Sequence, residues 1–196
     1  MKVIGIRGNR VDEGANGEAE PTPYIIADSS LLYNRRPFFL PDFAESFVCR
    51  PTIVARVCRL GKNIAQRFAG RYYDALTVGI TVKALGIKGD FDNGDTGAVA
   101  ESFDNAAIVG DFIPKEQTGP EAEWELSVDG VTVAGGSAAQ LAIGFDGLIE
   151  RVSRYFTLKT GDMIFASTPR SCHTMKINTL ITATLANRPA LRFRVK

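Results

Sequence analysis

Histidine and tryptophan each occur once in this chain, and cysteine three times. Cys49, Cys58 and Cys172 are scattered, odd in number and form no CxxC pair. That excludes a disulfide framework and points to reduced thiols in the cytoplasm. The lone histidine, His173, follows Cys172, a neighbour pair that invites a nucleophile–base reading. Adjacent strand residues point to opposite faces, however, so a loop histidine after Pro169 is the expectation. No charge sign dominates: 23 Lys and Arg stand against 22 Asp and Glu, for a net of +1. There is thus no electrostatic case for nucleic acid or an anionic membrane. Long apolar runs are missing too, all far below the roughly 20 residues that span a bilayer. The N-terminal MKVIGIRGNR lacks a signal-peptide core and reads as a first β-strand over Met1 to Ile6.

What remains is an ordinary globular composition, 45% apolar and 23% charged over 196 residues. It fits one domain over 1–196 with a sizeable core. Residues 8–23 carry Gly8, Gly14, Gly17, Pro21 and Pro23 among acids and read as an irregular, mobile loop. Tyr24 to Ala27 is a short strand, and Phe47 to Arg59 a strand-like run. Arg59-Leu60-Gly61-Lys62 breaks that run. Ile64, Ala65, Phe68, Ala69 and Tyr72 then recur at helical spacing. Ala75 to Val82 is β-branched and apolar, as in a buried strand. Residues 88–100 read as a surface loop. Within it Asp90, Asp92 and Asp95 lack the twelfth-position glutamate of a calcium loop, so a solvated loop is expected.

Trp124, Leu126 and Val128 alternate with polar residues up to Asp129-Gly130, and Val131 and Val133 return, predicting a type I′ hairpin. Ser137 and Gln140 form a capping-box pattern opening a helix. Leu141, Phe145, Leu148, Ile149, Val152, Tyr155 and Phe156 continue it at three- and four-residue spacing, with a break expected near Gly144 and Gly147. Leu158 to Phe165 reads as a turn into a strand, and Thr179 to Thr184 and Leu191 to Val195 as strands. Strands dominate, so the fold class is a β-rich α+β domain with a few short helices.

Three blocks resemble the fumarylacetoacetate hydrolase family. GKNIAQRFAGRYYDALTVGI is similar to its core segment. Glu101 to Pro114 matches its AKGFD-x-x-x-x-IG-x-FIP stretch, and Leu158 to Phe165 matches TLKTGDLIF. The order and spacing of the blocks imply the mixed β-roll of that family, usually a homodimer. The resemblance also implies chemistry on 2-oxo acids and 1,3-dicarbonyl compounds, hydrolysis, isomerisation or decarboxylation, with magnesium or manganese held by carboxylates.

The departures from the family pattern cluster at that chemistry. The Glu-x-Glu ligand positions fall at Arg50 and Thr52, and the aspartate position at Thr81. A one-residue shift at Arg50 and Thr52 changes nothing, because Phe47 to Leu60 holds no carboxylate. Leu85 and Lys88 lie where the resemblance implies a substrate-contacting arginine and glutamine, Lys83 where it has serine or threonine, and Glu101 stands where it implies a lysine. The TGTP-x-G loop reads Ala166-Ser167-Thr168-Pro169-Arg170-Ser171, and a frequent family histidine falls at or near Glu13. Three readings follow. The first is a catalytically silent binding or structural member with no metal cofactor, pairing with itself or with an active relative. The second is a hydrolase or isomerase with a rebuilt, metal-free site. The third is a metal enzyme with relocated ligands such as Asp28 or Glu101. In the first two, Arg50, Thr52, Thr81, Lys83, Glu101, Thr168 and Arg170 crowd one basic, hydroxyl-rich pocket, which either is dead space or holds a small anion.

Overall fold

The computed structural model describes residues 1–11, 20–89, 97–167 and 173–196. Its order is β1 (Val3–Arg7), β2 (Thr22–Ile26), β3 (Leu31–Tyr33), β4 (Ala44–Val57), α1 (Gln66–Ala69) and β5 (Tyr73–Ile87). There follow α2 (Gly97–Glu101), β6 (Ala107–Val109), β7 (Ile113–Pro114), β8 (Trp124–Val128), β9 (Val131–Gly136), α3 (Phe145–Tyr155) and β10 (Met163–Phe165). The chain ends in β11 (His173–Thr174), β12 (Leu180–Leu185) and β13 (Arg188–Arg194). The expected loop over 8–23 is shorter at its far end, because Thr22 and Pro23 pair with Arg7 and Ile6. Residues 12–19 of that loop lie outside the described residues, as do Asp90, Asp92 and Asp95.

A large mixed sheet runs β2-β1-β10-β4-β5-β6-β3, with β11 and β7 pairing to β4 and β5. A second sheet, β13-β12-β8-β9, is antiparallel throughout. β4 and β5, of 14 and 15 residues, form the ribbon on which the large sheet is built. Alternation gives that ribbon two faces. One carries Cys49, Ile53, Ala55, Val78, Ile80 and Val82 into the main core, with Leu126 and Phe193 of the second sheet and Leu148 and Val152 of α3. The other carries Val54 into a smaller cluster with Val3, Ile26, Met163 and Phe165. Gly79 belongs to this second face. A Cβ there would lie 2.4 Å from Val54 and 2.8 Å from Phe165, so only glycine lets the layers close.

The expected helix over 64–72 shrinks to the single turn of α1. Asn63 has φ 51°, Ala65 is extended, and the Gly61 and Asn63 amides bond to Leu158 and Ser153 carbonyls. Tertiary hydrogen bonds to α3 and to Leu158 beyond it override the local helical spacing. The capping box of Ser137 and Gln140 forms, but it closes one 3-10 turn, and α3 begins separately after Gly144. Asp129 and Gly130, at φ 49° and 84°, make the expected hairpin turn. In the turn before β10, the fully buried Asp162 carboxylate accepts the Lys159 amide at 2.8 Å and the Lys2 amide at 2.7 Å. That aspartate therefore locks β1 beside β10. No helix among the described residues is long and apolar enough to cross a membrane.

Candidate functional site

The register of the central ribbon decides which polar residues meet. Arg50 lies directly opposite Thr81, Thr52 opposite Gly79, and Val48 opposite Lys83. Cross-strand partners share a face, so Arg50, Thr52, Thr81 and Lys83 all stand on the side away from the main core. Arg7 reaches the same side from the end of β1, in step with Val3 and Gly5, with its guanidinium 4.3 Å from the Tyr24 ring centre. Glu101 enters as the last residue of α2, whose end is tied to the 28–30 turn by Ser102: the Ala27 amide donates to Ser102 Oγ at 2.7 Å.

The carboxylate of Glu101 collects this basic set. Arg50 donates to Oε1 at 2.8 Å and Arg7 to Oε2 at 2.6 Å, and Lys83 Nζ lies 3.6 Å from Oε1. Arg50 and Glu101 are buried together, each side chain 11% exposed, whereas Arg7 and Lys83 reach solvent. Burial alone would raise the Glu101 pKa, but hydrogen bonds and charge from Arg50 and Arg7 outweigh it and hold the carboxyl down to about 2. On the other edge, Thr52 and Ser167 hydroxyls lie 3.0 Å apart, and the Ser167 amide donates to Thr52 Oγ1 at 3.1 Å. Thr81 Oγ1 and Arg50 Nε are buried with no hydrogen-bond partner among the described residues.

Five of the residues singled out from sequence therefore converge: Arg50, Thr52, Thr81, Lys83 and Glu101. Thr168 and Arg170 lie outside the described residues, as do Cys172 and Glu13. His173 sits in β11 opposite the buried Cys49, and Asp28 is exposed on the 28–30 turn. Sequence reasoning missed Arg7, although alternation with Val3 and Gly5 along the first strand marks its face. Ser167 was not singled out either, although it lies in the segment that matches the TGTP-x-G loop. Among the described residues no three His, Cys, Asp or Glu side chains converge in a metal-binding group. The cluster offers a divalent cation one carboxylate, already bonded through both oxygens to guanidinium groups. Cation beside cation is repulsive in a partly buried site, so these residues do not fit such an ion.

Comparison with known proteins gives one consistent kinship. A family model described as fumarylacetoacetate (FAA) hydrolase C-terminal matches residues 6–196. The mitochondrial oxaloacetate tautomerase of Rattus norvegicus is 23% identical over 182 residues, covering 91% of this chain and 82% of that protein. An oxaloacetate tautomerase of Escherichia coli is 24% identical over 176 residues, 86% and 80% of the two chains. In structure, a fumarylacetoacetate hydrolase family protein from Yersinia pestis superposes with TM-score 0.87 at 21% identity, covering 100% of this chain and 93% of that one. The Pseudomonas aeruginosa fumarylpyruvate hydrolase, solved with Mn2+ and pyruvate, superposes with TM-score 0.84 at 19% identity, covering 100% and 89%.

Proposed function

The chain belongs to the fumarylacetoacetate hydrolase family, and from that premise we propose that it is a catalytically silent member, a binding or structural protein. The observation that carries this reading is the bonding of Glu101 by Arg50 and Arg7. In the family pattern, Arg50, Thr52 and Thr81 occupy ligand positions. On that reading a guanidinium stands where the family resemblance implies a carboxylate ligand. The Glu101 carboxylate is taken up by ion pairs and offers no open coordination position. Arg7, Arg50 and Lys83 outnumber Glu101, and Thr81 Oγ1 awaits a partner. The ligand class that suits the cluster is a small carboxylate or phosphate anion. The assembly proposed is a homodimer or a pair with an active relative. A cytoplasmic setting accords with the scattered, odd set of three cysteines.

A thermal-shift titration with magnesium and manganese, each with and without oxalate, tests the reading. The expected result is no stabilisation by metal, and stabilisation by oxalate alone that Arg50→Met removes. Metal-dependent stabilisation enhanced by oxalate overturns it. A second reading, an enzyme on 2-oxo or 1,3-dicarbonyl acids with a rebuilt site, is favoured by the naming of the rat and Escherichia coli relatives as oxaloacetate tautomerases. Its mark is oxaloacetate tautomerisation or acylpyruvate turnover in the presence of a chelator, abolished by Arg50→Ala.

A further inference from the structure

A second polar grouping lies at the other end of β5, around a cavity of about 380 Å³. Its walls are Leu76, Pro120, Ala122, Ala138 and Phe145. That volume and those apolar walls suit a small molecule. Tyr73, Lys115, Glu116 and Thr118 supply the polar lining. Thr118 is spent on the Lys115 carbonyl at 2.9 Å, and Glu116 is exposed at the rim. Lys115 is the interesting member. Its ammonium donates to the Gly70 carbonyl and stands 4.5 Å from the centre of the Tyr73 ring. It makes no ion pair with a carboxylate among the described residues, which leaves ammonium hydrogens unspent beside apolar walls. Asp146 acts on Tyr73 by its charge: burial first, and that charge with it, push the phenol up to about 12. The Asp146 Oδ1 is buried with no hydrogen-bond partner among the described residues.

We propose that this cavity binds a small monocarboxylate with a flat or short apolar body, its carboxylate on Lys115 and its body against Leu76 and Phe145. The Tyr73 and Phe145 rings, 5.7 Å apart and tilted by 39°, form the wall on which a flat ligand rests. A charge-assisted hydrogen bond at a half-buried ammonium is strong enough to select a carboxylate over its cationic counterpart. The site is separate from the Arg50 cluster, because Tyr73 and Thr81 stand at different stations along β5 and the cavity shares no residue with that cluster.

The test is calorimetric titration of the full chain with benzoate, with benzylamine as the cationic counterpart. Saturable benzoate binding is expected, with no binding of benzylamine. Lys115→Met should weaken benzoate about tenfold or more, while Lys115→Arg and Arg50→Met retain it. Absence of saturable binding, equal binding of benzylamine, or benzoate affinity unchanged in Lys115→Met overturns the proposal. Loss in Arg50→Met with retention in Lys115→Met would move the benzoate site to the Arg50 cluster and overturn it equally. Should Lys115→Met not fold, the benzoate–benzylamine comparison and Lys115→Arg decide. The metal and oxalate titrations read the other site, so the two readings fail independently.

Discussion

Strand β5 carries two charged groupings that answer burial in opposite ways. Towards its end, beside Thr81 and Lys83, the carboxylate of Glu101 is met by Arg50 and Arg7 at hydrogen-bonding distance. At its start, beside Tyr73, the ammonium of Lys115 is met among the described residues by a carbonyl and an aromatic face. Depth explains the difference. Arg50 and Glu101 are both nearly enclosed, and a buried charge without its opposite costs several kcal/mol. Lys115 opens onto a cavity, where water or a ligand can complete its shell. One grouping is closed by the protein itself, and the other leaves a valence open.

Breaking the closed grouping should have the largest effect. Arg50→Ala removes the buried partner of Glu101 but leaves Arg7 and Lys83, so a loss of roughly 3 kcal/mol is expected, at the low end for a severed buried pair. Denaturant unfolding measures it. The double change Arg50→Met with Glu101→Leu should return to within about 1 kcal/mol of the parent, since an apolar pair of similar volume has no charge to strand. Equal losses in the single and double variants would mean that the ion pair is not the origin of the effect.

Acid sharpens the same contrast with a smaller effect. The folded Glu101 carboxyl is held near 2 against 4.5 for a free one. A depressed carboxylate contributes stability that is full above about pH 4.5 and is lost as pH falls towards 2. Glu101→Gln should therefore unfold with a shallower dependence on pH over that window. An unchanged slope would remove Glu101 from the list of acid-sensitive groups.

These two expectations also show what was legible in the chain. Counting from Gly61-Lys62 places Arg50 and Thr52 on the strand before it and Thr81 on the strand after. The pairing of Arg50 with Thr81 then follows from an antiparallel ribbon. The Glu101 block was equally readable, because it lies at a fixed place in a matched segment. Arg7 was lost by ending the first strand one residue early. β4 begins at Ala44 and ends at Val57, where Phe47 to Arg59 was expected. β5 runs on past Val82 to Ile87, because Lys83 ends the apolar run but not the pairing with β4. The helix over 64–72 failed for the opposite reason, as a good local pattern is overruled by backbone bonds to Leu158 and Ser153. The Tyr73, Lys115 and Asp146 grouping left no mark, since three residues so far apart meet only once β5, the 115–117 turn and α3 are in place.

The smallest effect belongs to the open grouping. Burial is the main cause that pushes the Tyr73 phenol up to about 12, with the charge of Asp146 adding to it. The folded chain therefore binds a proton that the unfolded chain releases near pH 10, and stability should fall as pH rises from about 10 to 12. Ultraviolet titration of the native chain should show one of its five tyrosines ionising late. Tyr73→Phe should delete that late step. Asp146→Asn should bring the step back towards 10 without deleting it, because burial persists when the charge is gone. A late step that survives Tyr73→Phe would belong to another phenol, and Asp146 would then have no claim on this corner. A late step insensitive to Asp146→Asn would mean that burial alone holds the phenol up, leaving Lys115 without a polarised neighbour.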